Sequence, residues 1–369
     1  MPKVNILLCA PLDGSIGGIT RWTGHILDYY NSTATNINLT HSYPTTKGVY
    51  QHTPWWKRWY LGVTTYIPFL LNLHGTLKYQ KPDVVHFTSS ASISLIRDYI
   101  TLKIAKRQKV KSIIHFRFGR IAKIYETYSW EYYLLQMVIR LADKVIVIDH
   151  AALNTLINHG HPHVVWLPNP IAPQVLDWIQ KNNDIKRQPR TLLFAGHLLK
   201  TKGVFELVKA CLQIPNIQLK MIGFVTPKIK EDLMQLAAQK QEPWLEILGE
   251  QHYTTVINEM LATRVFVLPT YSEGFPNVIL ESMAAACPIV STNVGDIPTM
   301  LKLNSQSPLG IGVAPQDVDA LKEAILTLLN NSDYANQCGN NAHKHVLENY
   351  TMSKVWQQLE SIWMDLKAS

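Results

Sequence analysis

RVFVLPTYSEGFPNVILES, residues Arg264–Ser282, contains a complete strand–loop–helix unit. RVFVLP (264–269) is a short apolar run of strand character, and Glu273-Gly274 falls in the break after it. Pro276 suits a first helical position, where its missing N–H costs nothing. From Asn277 the apolar Val278, Ile279, Met283 and the alanines 284–286 continue a buried helix that stops near Cys287-Pro288. The helix N-terminus faces out of the strand's carboxyl end, where N–H groups of Gly274, Phe275, Asn277 and Val278 form an anion site. Glu273 and Glu281 stand eight residues apart around this turn. A carboxylate beside bound phosphate is repelled, so one reading makes them acceptors for sugar hydroxyls. The other makes them a stabilising acid at a helix start and a surface glutamate. The local pattern leaves both open.

The same alternation extends in both directions. VNILLCA (4–10), PDVVHFT (82–88), KSIIHF (111–116), KVIVID (144–149) and HVVWLP (163–168) read as buried strands. Helical patterns over 18–30, 54–79, 93–107 and 127–141 separate them. After Pro189 strands at 191–196, 218–223, 245–249, 264–269 and 288–292 alternate with helices at 203–212, 227–239, 254–262 and 276–286. Strand after helix after strand predicts parallel sheets in an α/β protein of two doubly wound, Rossmann-like domains. The expected joint is Asn169–Pro189, rich in proline, asparagine and charge. Residues 1–170 then form one domain and 171–350 the other, with an amphipathic helix over 351–369, carrying Trp356 and Trp363, packing back on the first. Ligands of such sheets sit at strand carboxyl ends, which for two facing domains means a central cleft.

A chain of 369 residues, 47% hydrophobic and 17% charged, fits about two soluble domains. No signal-sequence pattern and no membrane-spanning apolar run is read. Four scattered cysteines without paired spacing suggest reduced thiols and a cytoplasmic setting. Residues 1–170 hold 18 Lys/Arg against 8 Asp/Glu, whereas the remainder is near neutral. An anionic partner is therefore expected on the first half only.

Glycines and cations recur at the predicted strand ends. PLDGSIGGIT (11–20) places Gly17-Gly18 at a helix start, where backbone can approach a phosphate closely. It is not a G-x-G-x-x-G fingerprint, which disfavours dinucleotide binding. FAGHLLKTKG (194–203) follows a strand with Gly196 and His197, then Lys202 at the next helix start, a point-charge phosphate binder. FAGHLLKTKG, MIG (221–223), ILGE (247–250), VLPTYSEGFPNVILESMAAACPIVSTNVGDIP (267–298) and GIGVAPQDVDAL (310–321) follow in order. Together they resemble family 4 of the retaining glycosyltransferases, which have the GT-B fold. In the first half Gly17-Gly18, PDVVHF, IIHF, ADKVIVID and VVWLPNP resemble the family more loosely.

The resemblance implies roles for individual residues. Glu281 would take the ribose hydroxyls and Glu273 a hydroxyl of the donor sugar. Backbone N–H groups across Gly274, Phe275, Pro276, Asn277 and Val278 would hold sugar and diphosphate, Pro276 shaping the turn. Lys202 with Gly18 would hold the departing phosphates, and His115 in IIHF would lie near the sugar's reacting face. It implies a UDP-linked, UDP-glucose-like donor as co-substrate and hexosyl transfer to a glycan or lipid-linked acceptor in polysaccharide or glycoconjugate synthesis. No Asp-x-Asp pair stands at a suitable loop, so Lys202 and a helix dipole are expected in place of a metal. Two departures are His197, where the family has arginine, and Pro168-Asn169-Pro170, where it has Pro-Asn-Gly. Alternatives are a GT-B nucleotide-sugar epimerase or a nucleotide-sugar-binding regulator without turnover.

HTPWWKRWYLG (52–62) and KIAKRQKVK (103–111) combine tryptophans with cations. They read either as core aromatics beside a solvated loop or as a peripheral contact with anionic lipid at the inner face of the cell membrane; the charge asymmetry favours the second. No nucleic-acid-binding pattern is present. HGHPH (159–163) lacks an acidic or cysteine partner and reads as a surface loop rather than a metal site. Asp13, Arg117 and Arg120 sit at rim positions suited to ligand contact or to structural ion pairs.

Overall fold

A computed structural model describes residues 3–12, 18–44 and 55–369, the side chains of 55–63 excepted. The chain divides into two compact units, Met1–Asn169 with Met352–Ser369, and Pro170–Thr351.

The first unit opens with β1 (Val4–Cys9), α1 (Gly18–Ser32), β2 (Ile37–His41), α2 (Trp55–Gln80) and β3 (Val84–Ser89). It continues with α3 (Ser94–Arg107), β4 (Lys111–Phe116), α4 (Ile121–Thr127), α5 (Trp130–Leu141), β5 (Lys144–Val147), α6 (His150–Asn158) and β6 (Val164–Trp166). Its six strands are all parallel, in the order β2-β1-β3-β4-β5-β6. The order reverses between β1 and β3, so the loops leaving these two strands diverge and open a crevice at their carboxyl ends.

The second unit runs α7 (Pro173–Lys181), β7 (Thr191–Ala195), α8 (Val204–Leu212), β8 (Gln218–Ile222), α9 (Pro227–Ala237) and β9 (Leu245–Gly249). There follow α10 (Tyr253–Ala262), β10 (Val265–Leu268), α11 (Asn277–Ala284), β11 (Ile289–Thr292) and α12 (Ile297–Met300). β12 (Ile311–Val313), α13 (Val318–Asn330) and α14 (Ser332–Asn349) complete it. Its parallel order, β12-β11-β10-β7-β8-β9, reverses between β7 and β10.

Strands such as β3 and β10 are buried along their whole length, because helices cover both faces of the sheet. In the first unit one apolar layer joins α2, α3, α5 and α6 to the sheet. The opposite layer joins α1 to α15 (Met352–Ala368), whose Val355, Trp356, Leu359 and Trp363 are fully buried against β1, β3 and α1.

Several local expectations are corrected. The segment 127–141 is not one helix: Tyr128 adopts a left-handed φ of 45° and divides α4 from α5. The joint 169–189 contains α7, started by Pro173 in its first turn. Lys202 ends a 3₁₀ turn, Lys200–Lys202, and α8 begins only at Val204. Pro276 is the residue before α11 rather than its first residue, with extended backbone.

Candidate active site

The loops leaving β7 and β10 meet where the strand order of the second sheet reverses. A donated hydrogen bond from the Tyr271 amide to the Thr201 carbonyl, 2.9 Å, ties them together. Gly203 makes this approach possible. Its φ is +70°, and a Cβ there would lie 1.9 Å from the Pro269 carbonyl oxygen. Gly295 does the same on the other side: at φ +57° a Cβ would lie 2.2 Å from the Glu273 carbonyl oxygen. The Asp296 amide donates to the Gly274 carbonyl at 2.9 Å, and the Thr292 hydroxyl to the Thr270 carbonyl at 2.6 Å. Residues Thr270–Pro276 are thus held from two sides. Gly203→Ala is expected to cost the second unit about 1–3 kcal/mol through overpacking, read as a lower denaturation midpoint. An unchanged midpoint would show that the loops can separate freely.

Held this way, Glu273 reaches Lys202 across the two loops in an ion pair. Both side chains are largely but not wholly buried, at 16% and 26% exposure. The N-terminus of α11 stands beside Glu273, its first-turn N–H groups directed out of the carboxyl end of β10. Asn277, Val278 and Glu281 form the half-buried stripe of this helix, while Ile279, Leu280 and Met283 are buried. Phe275 is buried and meets the Tyr350 ring edge-on, centroids 5.4 Å apart, so its side chain anchors the loop and only its backbone can face a ligand. Just past β7 the Gly196 amide donates a hydrogen bond to the Ile222 carbonyl at 2.9 Å, and the following His197 is exposed near Phe224. Lys202, Glu273, Gly274 and the start of α11 therefore share one locality, with Gly196 and His197 at the end of the neighbouring strand.

His115 and Gly18 belong to the other unit. Gly18 is the first residue of α1; Gly17 and Asp13 lie outside the described residues. His115, near the end of β4, is fully buried, with the Trp22 ring edge-on at 5.0 Å. Sequence reasoning missed its partners. The Trp363 indole N–H donates to His86 Nδ1 at 3.1 Å, and His86 Nε2 stands 3.3 Å from His115 Nδ1. An indole nitrogen only donates, so His86 must carry its proton on Nε2 and donate it to His115 Nδ1. His115 is then protonated on Nε2. Burial and the nearby Arg117 push His86 down to about 3 and His115 well below the ordinary histidine range, keeping both rings neutral. The His115 N–H faces the Arg117 guanidinium at 3.4 Å, and two donors cannot bond each other. The relay therefore presents two donors to one region, an arrangement an oxygen acceptor would satisfy. The available signal was the doubled apolar-apolar-His-Phe of VVHF and IIHF.

The two rim arginines differ. Arg120 is committed to Glu131, with contacts of 2.6 and 2.8 Å. Arg117 lies 4.9 Å above the Trp22 ring, has no carboxylate within ion-pair distance among the described residues, and is depressed to about 9 by burial. The HGHPH histidines are structural: the segment is a loop with His159, Gly160 and Pro162 exposed, as expected, while His161 is buried against Gln136 at 3.0 Å and His163 bonds the Ile139 carbonyl at 3.0 Å. Among the described residues no cluster of three or more His, Cys, Asp or Glu could hold a metal ion. No helix among them is long and apolar enough to cross a membrane.

Two parallel doubly wound units of this kind define the GT-B fold. Sucrose-phosphate synthase from Thermosynechococcus elongatus superposes with a TM-score of 0.73 at 17% identity, over 99% of this chain and all of the other. Anabaena HepE in complex with UDP and glucose gives 0.71 at 15% identity, over 97% and 98%. Residues 177–345 match the family model described as glycosyl transferases group 1. The capsular polysaccharide biosynthesis glycosyltransferase CapM of Staphylococcus aureus is 29% identical over 194 residues, 49% of this chain. The match spans half the length of that relative.

Proposed function

We propose that this protein is a retaining glycosyltransferase that moves a hexosyl group from a UDP-linked, glucose-like donor to a glycan or lipid-linked acceptor. The observation that carries this reading is the Lys202–Glu273 pair, set between two loops at the reversal of the second sheet and beside the α11 N-terminus. The group 1 match covers this locality, CapM is named for capsular polysaccharide biosynthesis, and the HepE structure holds UDP and glucose.

In this proposal the donor diphosphate lies against the α11 N-terminus and draws Lys202 away from Glu273. Glu273 is thereby released to accept a hydrogen bond from a donor-sugar hydroxyl, while Glu281 accepts from the ribose. Gly196 and His197 line the approach of the phosphates. The bond between the anomeric carbon and the diphosphate oxygen breaks as the acceptor oxygen bonds that carbon from the same face. The acceptor's proton passes to the departing phosphate, and Lys202 with the helix N-terminus stabilises the charge that develops there. This assignment gives charge compensation to the protein, so activity in excess chelator is the expected outcome. Within the first unit, the His115 N–H and Arg117 are the donors offered to acceptor oxygens. The setting is the cytoplasm at the inner face of the membrane, in polysaccharide or glycoconjugate synthesis.

A thermal-denaturation screen of nucleotide sugars tests the proposal, because a ligand of the folded state raises the midpoint by mass action. UDP-linked hexoses should raise it more than ADP- or GDP-linked ones. No response to any nucleotide sugar would overturn the reading.

A further inference from the structure

The helices α2, α3 and α5 lie side by side on one face of the first sheet, α3 in the middle. Each turns an apolar face inward, and each also carries apolar residues along its outer crest. On α2 the crest reads Ile67, Leu71, His74, Lys78, with Leu71 71% exposed. At α3 it begins with Ile93, which precedes the first turn, then runs Ile96, Ile100, Lys103, Arg107; Ile93 is 75% exposed. Along α5 the order is Trp130, Tyr133, Met137, Arg140, the two aromatics 57% and 61% exposed. The spacing alternates three and four in every case, so each series is one continuous crest.

All three helices end where the next strand begins, so their C-terminal cations share the amino-end edge of the sheet. Their apolar halves lie together nearer the carboxyl ends. No carboxylate answers these cations on the three helices. The sequence of α2 has no acidic residue, Asp98 of α3 is buried beside Arg97, and Glu131 of α5 is buried and bound to Arg120.

We propose that the outer crests of α2, α3 and α5 form a docking surface for an anionic lipid bilayer. An apolar belt bordered by a row of cations matches the boundary between acyl chains and negative headgroups. Trp130 and Tyr133 have the amphipathic rings favoured at that depth. Raised crests suit a deformable planar surface better than a groove-bound peptide. The inference stands apart from the proposed reaction, since it needs neither donor nor acceptor.

Co-sedimentation of the full chain with vesicles of phosphatidylcholine alone, or mixed with phosphatidylglycerol, tests it. Wild type should partition onto the mixed vesicles and not the neutral ones, and rising salt should release it. Each surface cation changes partition by roughly fivefold. Lys103→Glu with Arg107→Glu should therefore lower binding at least tenfold, with an unchanged melt. Ile96→Ser with Ile100→Ser should lower it too, at constant charge. Equal binding to neutral vesicles, no binding to either, or full binding by both double variants would overturn the proposal. A concentration-dependent dimer that shields this face from lipid would overturn it in favour of self-association.

Discussion

Replacing Trp363 with alanine is expected to cost the first unit about 3–5 kcal/mol, the range for truncating a buried aromatic. The indole is wholly buried, sits edge-on to Trp356 at 5.7 Å and packs against His86. It fastens α15 to β3, a strand that precedes it by 277 residues. Trp363→Phe separates packing from hydrogen bonding, since it keeps much of the ring volume but leaves His86 Nδ1 without its donor. A buried acceptor so stranded costs about 1–3 kcal/mol. Denaturant unfolding followed separately for the two units measures both effects. A loss under about 1 kcal/mol for the alanine variant, or a shift confined to the second unit, would contradict this account of α15.

Lys202→Ala is expected to weaken UDP binding by roughly ten- to a hundredfold, the equivalent of losing about 1.5–3 kcal/mol from a charged hydrogen bond. Uridine, which lacks the diphosphate, should bind the variant and wild type alike. The structure adds a second consequence. Wild-type Lys202 is held by Glu273 before any ligand arrives, so the diphosphate must compete for it. Glu273→Gln removes that competitor and should preserve or improve UDP affinity while lowering turnover of the intact donor. Comparing UDP and uridine by calorimetry in both variants separates these contributions. Equal proportional losses for UDP and uridine in Lys202→Ala would refute the phosphate role.

How much of this was legible in the sequence follows from burial. The central strands are covered on both faces, so VVHF, IIHF and VFVL appear as nearly continuous apolar runs, interrupted only by His86 and His115. β2 is an edge strand with alternating burial, and INLTH has no such run. α7 escaped notice because a nine-residue helix with polar flanks resembles a linker in composition. The break at Tyr128 is a left-handed residue that composition does not reveal. In the second unit the gathering of these residues at the ends of β7 and β10 could be anticipated, because they fall in contiguous motifs and parallel topology delivers strand ends to one edge. The Lys202–Glu273 pairing could not, since it depends on which strands flank the reversal. The Trp363–His86–His115 relay was hidden for a related reason. It requires the β3–β4 register and the return of the chain's last helix.

Calorimetric titration of UDP into wild type and Glu281→Ala, in excess chelator, tests the central claim most directly. The account predicts that wild type binds UDP without added metal. It also predicts that the variant binds roughly ten- to a hundredfold more weakly, because a charged acceptor for the ribose is gone. Equal affinity in the two proteins, or no binding of UDP by wild type, would contradict it.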